Sequence, residues 1–167
     1  CPASNWELLE LHGGTRSNAI PVCAEALIQV GDTSSEEEWK LAASAITAQA
    51  ESVDHGILLQ TSFEAPICKP AYTDSFCDQL LSTLAALPHG VLQRTPEIIQ
   101  LSSNLATVRQ LGDNVEIVES LRASSQAFLS EGRDLVVHTA DRASFQSSQQ
   151  DYYPPWESAK DVPLHAL

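Results

Sequence analysis

The spacing of apolar residues predicts strands, then a helix, then another strand over the first 62 residues. Alternation of apolar and polar positions predicts two short β-strands over residues 14–31, broken at Pro21. An apolar repeat every three or four residues then predicts a helix over residues 35–52. The next strand is expected at residues 56–62. The apolar stripe of the predicted helix consists of Trp39, Ala43, Ile46, Ala50 and Val53.

Two more helices and three extended segments are predicted in the rest of the chain. A helix over residues 73–87 has one apolar stripe, and Pro88 after it cannot continue the helix. The Gly-Asp-Asn sequence at residues 112–114 fits a hairpin turn. The extended segments lie at residues 91–94, 98–110 and 114–122. The last helix is expected over residues 130–145, with four residues facing inward: Leu135, Val136, Thr139 and Ala143.

A weak internal repeat relates the two halves of this pattern. Residues 14–52 and residues 101–145 each contain two strands, with a Ser-Asn pair in the first, followed by a helix. Two such units can place their strands in one antiparallel sheet with the helices packed on one face. We therefore expect an α+β fold in a single domain over residues 1–167, a length that allows a sizeable core.

The composition of the chain argues against two classes of binding partner. The 167 residues are 43% hydrophobic and 19% charged, which is typical of a globular chain. A formal net charge of -13 argues against nucleic acid or an anionic membrane, since both need clustered Lys and Arg. No apolar run approaches the roughly 18 residues of a membrane span, and a cytoplasmic protein is expected. The lack of methionine and the first residue, Cys1, favour a chain excised from something longer.

The metal-ligating and nucleophilic side chains follow no catalytic spacing. The four cysteines form no CxxC pair, and we expect Cys23 and Cys77 to be small apolar residues of a strand and a helix. His138 and Asp141 lie three residues apart, but no HExxH pattern occurs, so no metal site is expected in this chain. No GxSxG elbow or phosphate-binding loop occurs either, and no catalytic residue is assigned.

Five segments resemble one protein family. They are Gly-Gly-Thr-Arg-Ser-Asn-Ala-Ile-Pro at 13–21, Leu-Pro-His-Gly-Val-Leu at 87–92, Ser-Ser-Asn-Leu-Ala at 102–106, Ser-Leu-Arg-Ala-Ser at 120–124 and Tyr-Pro-Pro-Trp at 153–156. Their order and spacing resemble the lid region of the aminoacyl-histidine dipeptidases, also called Xaa-His dipeptidases or peptidase D. The resemblance spans residues 8–167. It departs at Val22-Cys23, where the family usually has Arg-Glu, and at Pro155, which replaces a glycine.

The resemblance implies a lid and dimerisation domain of a larger hydrolase. The family members are cytosolic di-zinc exopeptidases related to carnosinase, but their metal ligands do not occur in this chain. Two zinc ions, bound elsewhere in the parent enzyme, would activate the attacking water. The implied partners are a dipeptide substrate in the parent enzyme and a second copy of the chain in a homodimer. The chain alone is expected to be inactive.

Arg122 and Asn104 are the substrate-binding residues that the resemblance implies. Arg122 lies in the segment that matches an arginine of the related carnosinases, which looks to bind the terminal carboxylate of the substrate in the partner subunit's site. A guanidinium can hold a carboxylate through two hydrogen bonds. A surface ion pair with Glu119 or Asp134 is the alternative. Asn104 matches a position that hydrogen-bonds the substrate backbone, which needs a donor and an acceptor. A strand cap or side-chain turn is the alternative for Asn104.

Asn18, in the glycine-rich segment, is the third candidate for substrate contact. A structural role, in which this segment holds the lid to the catalytic domain, remains open. Two other interpretations of the whole chain also remain open. One is a non-enzymatic dimerisation or regulatory module derived from such a lid. The other is a small enzyme complete in this chain, which would need a site that the sequence does not show.

Overall fold

The computed structural model describes residues 6–31, 36–52, 55–64, 68–150 and 153–156. The elements are β1 (Trp6–Gly13), β2 (Ala24–Val30), α1 (Glu36–Glu51), α2 (Asp74–Ala86), β3 (Gly90–Arg94), β4 (Ile99–Leu111), β5 (Asn114–Ala123) and α3 (Gln126–Arg142). The pairings of β4 with β1, β3 and β5 are all antiparallel. The predicted α+β class is therefore confirmed.

The long strand β4 pairs along both of its edges. The strand order is β2-β1-β4-β3, and β5 also pairs with β4. β5 pairs with one edge of β4 along residues 101–111. The other edge of β4 pairs with β3 at residues 99–103 and with β1 at Val108. The register of the β4–β5 hairpin shifts by one residue at Ala106, which forms a β-bulge.

The chain divides into two compact units. Unit 1 comprises Cys1–Glu10 and Leu27–Tyr72, and unit 2 comprises Leu11–Ala26 and Thr73–Leu167. All three residues predicted to bind substrate belong to unit 2. The single domain and the two sequence repeats stay predictions.

Unit 1 holds α1 together with the first residues of β1. The backbone N–H of Tyr72 donates a hydrogen bond to the carbonyl of Leu8 at 2.8 Å, and Leu8 is buried. In α1, Ala43 of the predicted apolar stripe is buried, but Ile46 is 56% exposed. The predicted inward face is therefore wrong at Ile46, and Val53 of that stripe lies outside the described residues.

Two strand predictions in the first half are wrong. The first strand is β1, at residues 6–13, and residues 14–23 form a loop because Gly14 turns the chain at φ +64°. Residues 55–64 form no strand and are exposed, although Ile57, Leu58 and Leu59 give them an apolar run. A short apolar run does not by itself distinguish a strand from other conformations.

The helices of unit 2 begin at hydroxyl side chains. Thr73 accepts a hydrogen bond from the N–H of Phe76 at 3.3 Å, and α2 ends just before Pro88, which confirms the helix predicted at residues 73–87. Ser125 accepts one from the N–H of Phe128 at 3.3 Å and starts α3. The third helix therefore begins four residues earlier than predicted.

The core of unit 2 lies between the β4–β5 hairpin and the helices. Leu80 of α2 and Leu101 of β4 are 0% and 2% exposed. A Cβ on Gly132 of α3 would lie 2.8 Å from Cδ1 of Leu101, so the helix packs closely on this face. Leu135, predicted to face inward, is 46% exposed, so the predicted inward face of this helix is wrong at Leu135.

The two cysteines predicted to be small apolar residues have different environments. Cys77 is buried within α2, as expected. Cys23 is exposed and precedes β2, so its predicted place in a strand is wrong. Its position in the loop before β2 explains its exposure.

Candidate functional site

The two faces of the β4–β5 hairpin differ in chemistry. Leu101 and Leu121 face α3, since a Cβ on Gly132 would contact both. Side chains alternate along a strand, so the neighbouring cross-strand pairs, Asn104 with Ser120 and Ser102 with Arg122, lie on the opposite face. These four residues form the polar face. Asn104 and Arg122 are diagonal neighbours there, about 7 to 8 Å apart by strand geometry.

Arg122 lies against an aromatic ring. Its guanidinium carbon is 4.0 Å from the centroid of the Tyr153 ring, a cation–π contact. Neither alternative partner holds it: Glu119 accepts a hydrogen bond from Ser103, and Asp134 contacts Arg133. Among the described residues Arg122 has no ion pair. The contact that the structure gives Arg122 is thus with an aromatic ring.

Asn104 binds the chain's own loop. Its Nδ2 donates a hydrogen bond to the carbonyl of Ala19 at 2.8 Å, in the loop of residues 14–23. Arg109 donates another to the carbonyl of Thr15 at 2.6 Å, and Gly14 N–H closes the loop on the Cys23 carbonyl at 3.0 Å. The Asn104 side chain thus does hydrogen-bond a peptide unit, while its role toward a substrate stays a prediction.

Asn18 is exposed in this same loop, next to the residue that Asn104 holds. Together with Thr15 it lines an open groove of about 930 Å³ within unit 2. The groove extends around the outer edge of β5 to α3, and Tyr153 lines it as well. The structure therefore brings Asn18 and Asn104 together through the loop and places Arg122 beside the groove, under Tyr153.

Glu119 is a potential functional residue that the sequence suggested only as a partner for Arg122. Its Oε2 accepts a hydrogen bond from the Ser103 hydroxyl at 2.8 Å, and its buried Oε1 has no partner among the described residues. Burial raises the pKa of Glu119 to about 7, although the Ser103 hydrogen bond and the charge of His89 both lower it. The alternation of Val115, Ile117, Glu119 and Leu121 was the available signal, because it places one carboxyl on an apolar face.

The described residues offer no metal centre and no membrane span. No three His, Cys, Asp or Glu side chains in the described ranges come together in a way that could hold a metal ion. No described helix is both long enough and apolar enough to cross a membrane. The candidate site consists of the polar face and the loop of residues 14–23, and Glu119 lies on the opposite face of the hairpin.

Comparisons with known proteins show where such a fold occurs. No family model and no curated protein matches the chain. Among solved structures, the crystal structure of aminoacylhistidine dipeptidase from Vibrio alginolyticus matches 96% of this chain, with a TM-score of 0.80 and 20% sequence identity.

The chain's fold is thus similar to one part of a dipeptidase. It covers 34% of that enzyme's chain, about a third of its length. At 20% identity this similarity shows the fold alone, and the activity of the whole enzyme does not follow from it.

Proposed function

We propose that this chain is the lid and dimerisation domain of a cytoplasmic di-zinc dipeptidase that hydrolyses Xaa-His dipeptides. The observation that carries the proposal is the match of 96% of the chain to one third of a dipeptidase, with Arg122 and Asn104 on one face of the sheet. The free thiols of Cys23, Cys68 and Cys77 suit the reducing cytoplasm.

Zinc would be held outside this chain. Bound zinc supplies an activated water to hydrolases of this type, and the described residues do not come together as a ligand set. This chain would therefore contribute by binding and orienting the substrate. Correct orientation of bound reactants lowers a reaction barrier by several kcal/mol, about 7 to 11 in favourable cases.

Arg122 would hold the terminal carboxylate of the dipeptide. Its guanidinium is exposed, has no ion pair among the described residues and presents donors in one plane, which matches a carboxylate. Asn104 would act beside it with its carbonyl oxygen, because its amide nitrogen already binds Ala19. Asn18 would reach the substrate from the loop that Asn104 holds.

Homodimerisation would use the outer edge of β5. This edge has no strand partner among the described residues. The groove along it is lined by apolar side chains of β5 and α3, including Ile117, Val118 and Val136. An open strand edge beside apolar surface is the usual arrangement for pairing with a second chain.

Kinetics of the full-length protein that contains this chain test the proposal. Arg122→Ala should raise the KM for Xaa-His dipeptides about ten- to a hundredfold, since a charged hydrogen-bond pair contributes about 1.5 to 3 kcal/mol. Arg122→Lys should fall between, because it keeps the charge and loses the second contact. Zinc content should not change.

Two controls sharpen this test. Arg94→Ala removes an exposed arginine of β3 and should leave the KM unchanged. A dipeptide with a C-terminal amide should bind the wild type weakly and be insensitive to Arg122→Ala. Equal kcat/KM for Arg122→Ala and the wild type would show that Arg122 does not bind the substrate carboxylate.

The alternative is a non-enzymatic dimerisation or regulatory module derived from such a lid. The observation in its favour is that the similarity, at 20% identity, shows the fold alone, which such a module would share. The full coding sequence separates the two: histidine, aspartate and glutamate ligands flanking this chain support the dipeptidase. A full-length product that binds no zinc and cleaves no dipeptide supports the module.

A further inference from the structure

The segment of residues 153–156 lies beside the end of β5. The backbone N–H of Trp156 donates a hydrogen bond to the carbonyl of Ala123 at 2.8 Å, which fixes the segment next to the last residue of the strand. Its other end places the Tyr153 ring 4.0 Å from the guanidinium carbon of Arg122. The segment and Arg122 therefore contact each other at the edge of the polar face.

A contact of this kind need not occupy the hydrogen-bonding groups of the arginine. An aromatic ring binds the face of a guanidinium, whereas all five N–H donors lie in the guanidinium plane. The ring can thus hold the cation while the donors point past it. An exposed arginine otherwise loses much rotamer freedom when it binds a ligand, and a side chain held in place beforehand loses less.

We propose that Tyr153 is a positioning residue that holds the guanidinium of Arg122 in place for a carboxylate ligand. The role of the ligand rests on the proposed function, in which Arg122 binds the dipeptide's terminal carboxylate. The contact between the ring and the guanidinium does not depend on that function. Tyr153 itself touches no reacting atom.

The first experiment tests the contact in the 167-residue chain. The order parameter of the Arg122 Nε–H group, from nitrogen-15 NMR relaxation, should be high in the wild type and in Tyr153→Phe. It should fall in Tyr153→Leu, which removes the ring. Trp156→Leu is the matched control: it removes an aromatic side chain that is 89% exposed in the same segment, and it should have no effect. An Arg122 Nε–H group as mobile in the wild type as in Tyr153→Leu overturns the proposal.

The second experiment tests the consequence in the full-length protein. Tyr153→Leu should raise the KM for Xaa-His dipeptides about threefold to tenfold and leave kcat unchanged, while Tyr153→Phe should restore the wild-type KM. In an Arg122→Ala background, Tyr153→Leu should have no further effect, because the residue that it positions is gone.

The outcomes of the two experiments are separable. A KM effect of Tyr153→Leu that is the same with and without Arg122 shows that the tyrosine acts elsewhere and overturns the positioning role. If Arg122→Ala itself leaves the KM unchanged, the carboxylate-binding function fails and the positioning for a carboxylate fails with it. The NMR result then shows separately whether the ring holds the guanidinium.

Discussion

At the scale of single residues, Glu119 is an ionisable side chain whose pKa is raised because burial removes it from water. It lies on the face of β5 that is turned toward α3, two residues before Leu121. One carboxyl oxygen accepts a hydrogen bond from the Ser103 hydroxyl. The other is buried without a partner among the described residues. Its ionised form is therefore poorly solvated in the folded chain.

Stability should consequently fall as the pH rises from about 5 to 8. The pKa of Glu119 is raised to about 7 in the folded chain. The folded chain therefore keeps a proton that the unfolded chain has released, and the stabilisation is complete at low pH and lost through pH 7. The full shift is equivalent to about 3 kcal/mol, which partial exposure reduces to about 1 to 2. Thermal unfolding should show a melting temperature lower by about 3 to 6 °C at pH 8.

Replacement of the carboxyl distinguishes this cause from others. Glu119→Gln keeps an acceptor for Ser103 and should flatten the pH dependence, with its largest stabilisation at pH 8. Glu116→Gln changes the same group elsewhere on β5 and should leave the slope as in the wild type. A slope that persists in Glu119→Gln would assign the pH dependence to another group.

At the scale of elements, the loop of residues 14–23 is fixed to β4 by side chains and by close approach of the backbone. Asn104 and Arg109 hold two of its carbonyls. Gly14 has φ +64°, and a Cβ there would lie 1.9 Å from the carbonyl oxygen of Ala106. Only glycine fits a position that combines this backbone conformation with this contact.

Gly14→Ala should therefore destabilise the chain by about 3 kcal/mol, the sum of left-handed strain and displacement of β4. Gly112→Ala is the matched control, since Gly112 has φ +62° but no atom within 4 Å of its added Cβ. It should cost only about 1 to 2 kcal/mol. Urea unfolding of both variants measures the difference, and equal losses would show that the loop does not press on β4.

Elements with a local signal were predictable, and those set by a distant partner were not. The helix at residues 73–87 and the 112–114 turn of the β4–β5 hairpin follow from neighbouring residues, whereas the inward faces predicted for α1 and α3 were wrong at Ile46 and Leu135. The bulge at Ala106 does not, because nothing in the local sequence marks it. Without it, a two-residue turn would pair Asn104 with Leu121 and place Arg122 on the other face. The bulge shifts the register by one residue and brings both onto the polar face.

At the scale of the whole molecule, strong negative charge coexists with a strand edge, on β5, that pairs with no other strand in the part of the chain that the structure describes. The formal net charge is -13, which favours solubility through mutual repulsion of chains. The outer edge of β5, next to apolar groove residues such as Val118, favours association. Salt screens repulsion between exposed charges over about 10 Å, so association should strengthen with ionic strength.

Sedimentation of the chain at rising concentration and two salt levels tests this balance. A dimer should accumulate with concentration, and more of it at higher salt. Val118→Lys adds a charge on the β5 edge and should weaken the dimer at least tenfold, since a buried unpaired charge costs more than 1.4 kcal/mol. Val91→Lys is the control, because Val91 lies on β3 and is 51% exposed, and it should leave the dimer unchanged. A monomer at all concentrations would contradict a dimerisation role for β5.

The candidate site was only partly predictable at this scale. The sequence motifs around Asn104 and Arg122 identified two polar residues, because their neighbours resemble a family segment. Tyr153 was noted only as part of the Tyr-Pro-Pro-Trp segment, since its contact with Arg122 joins residues 31 positions apart and follows from the tertiary fold. Contacts of this kind have no periodicity to reveal them.

The attachment of the 14–23 loop also sets an order of events during synthesis. The carbonyls of Ala19 and Thr15 are held by side chains that follow them by 85 and 94 residues. A ribosome that adds about 5 to 20 residues per second needs roughly 4 to 20 seconds to supply those side chains. Throughout that interval the nascent loop lacks its anchors, and exposed Ile20 and Val22 are accessible to chaperones. The loop of residues 14–23 can thus reach its final conformation only after β4 has been synthesised.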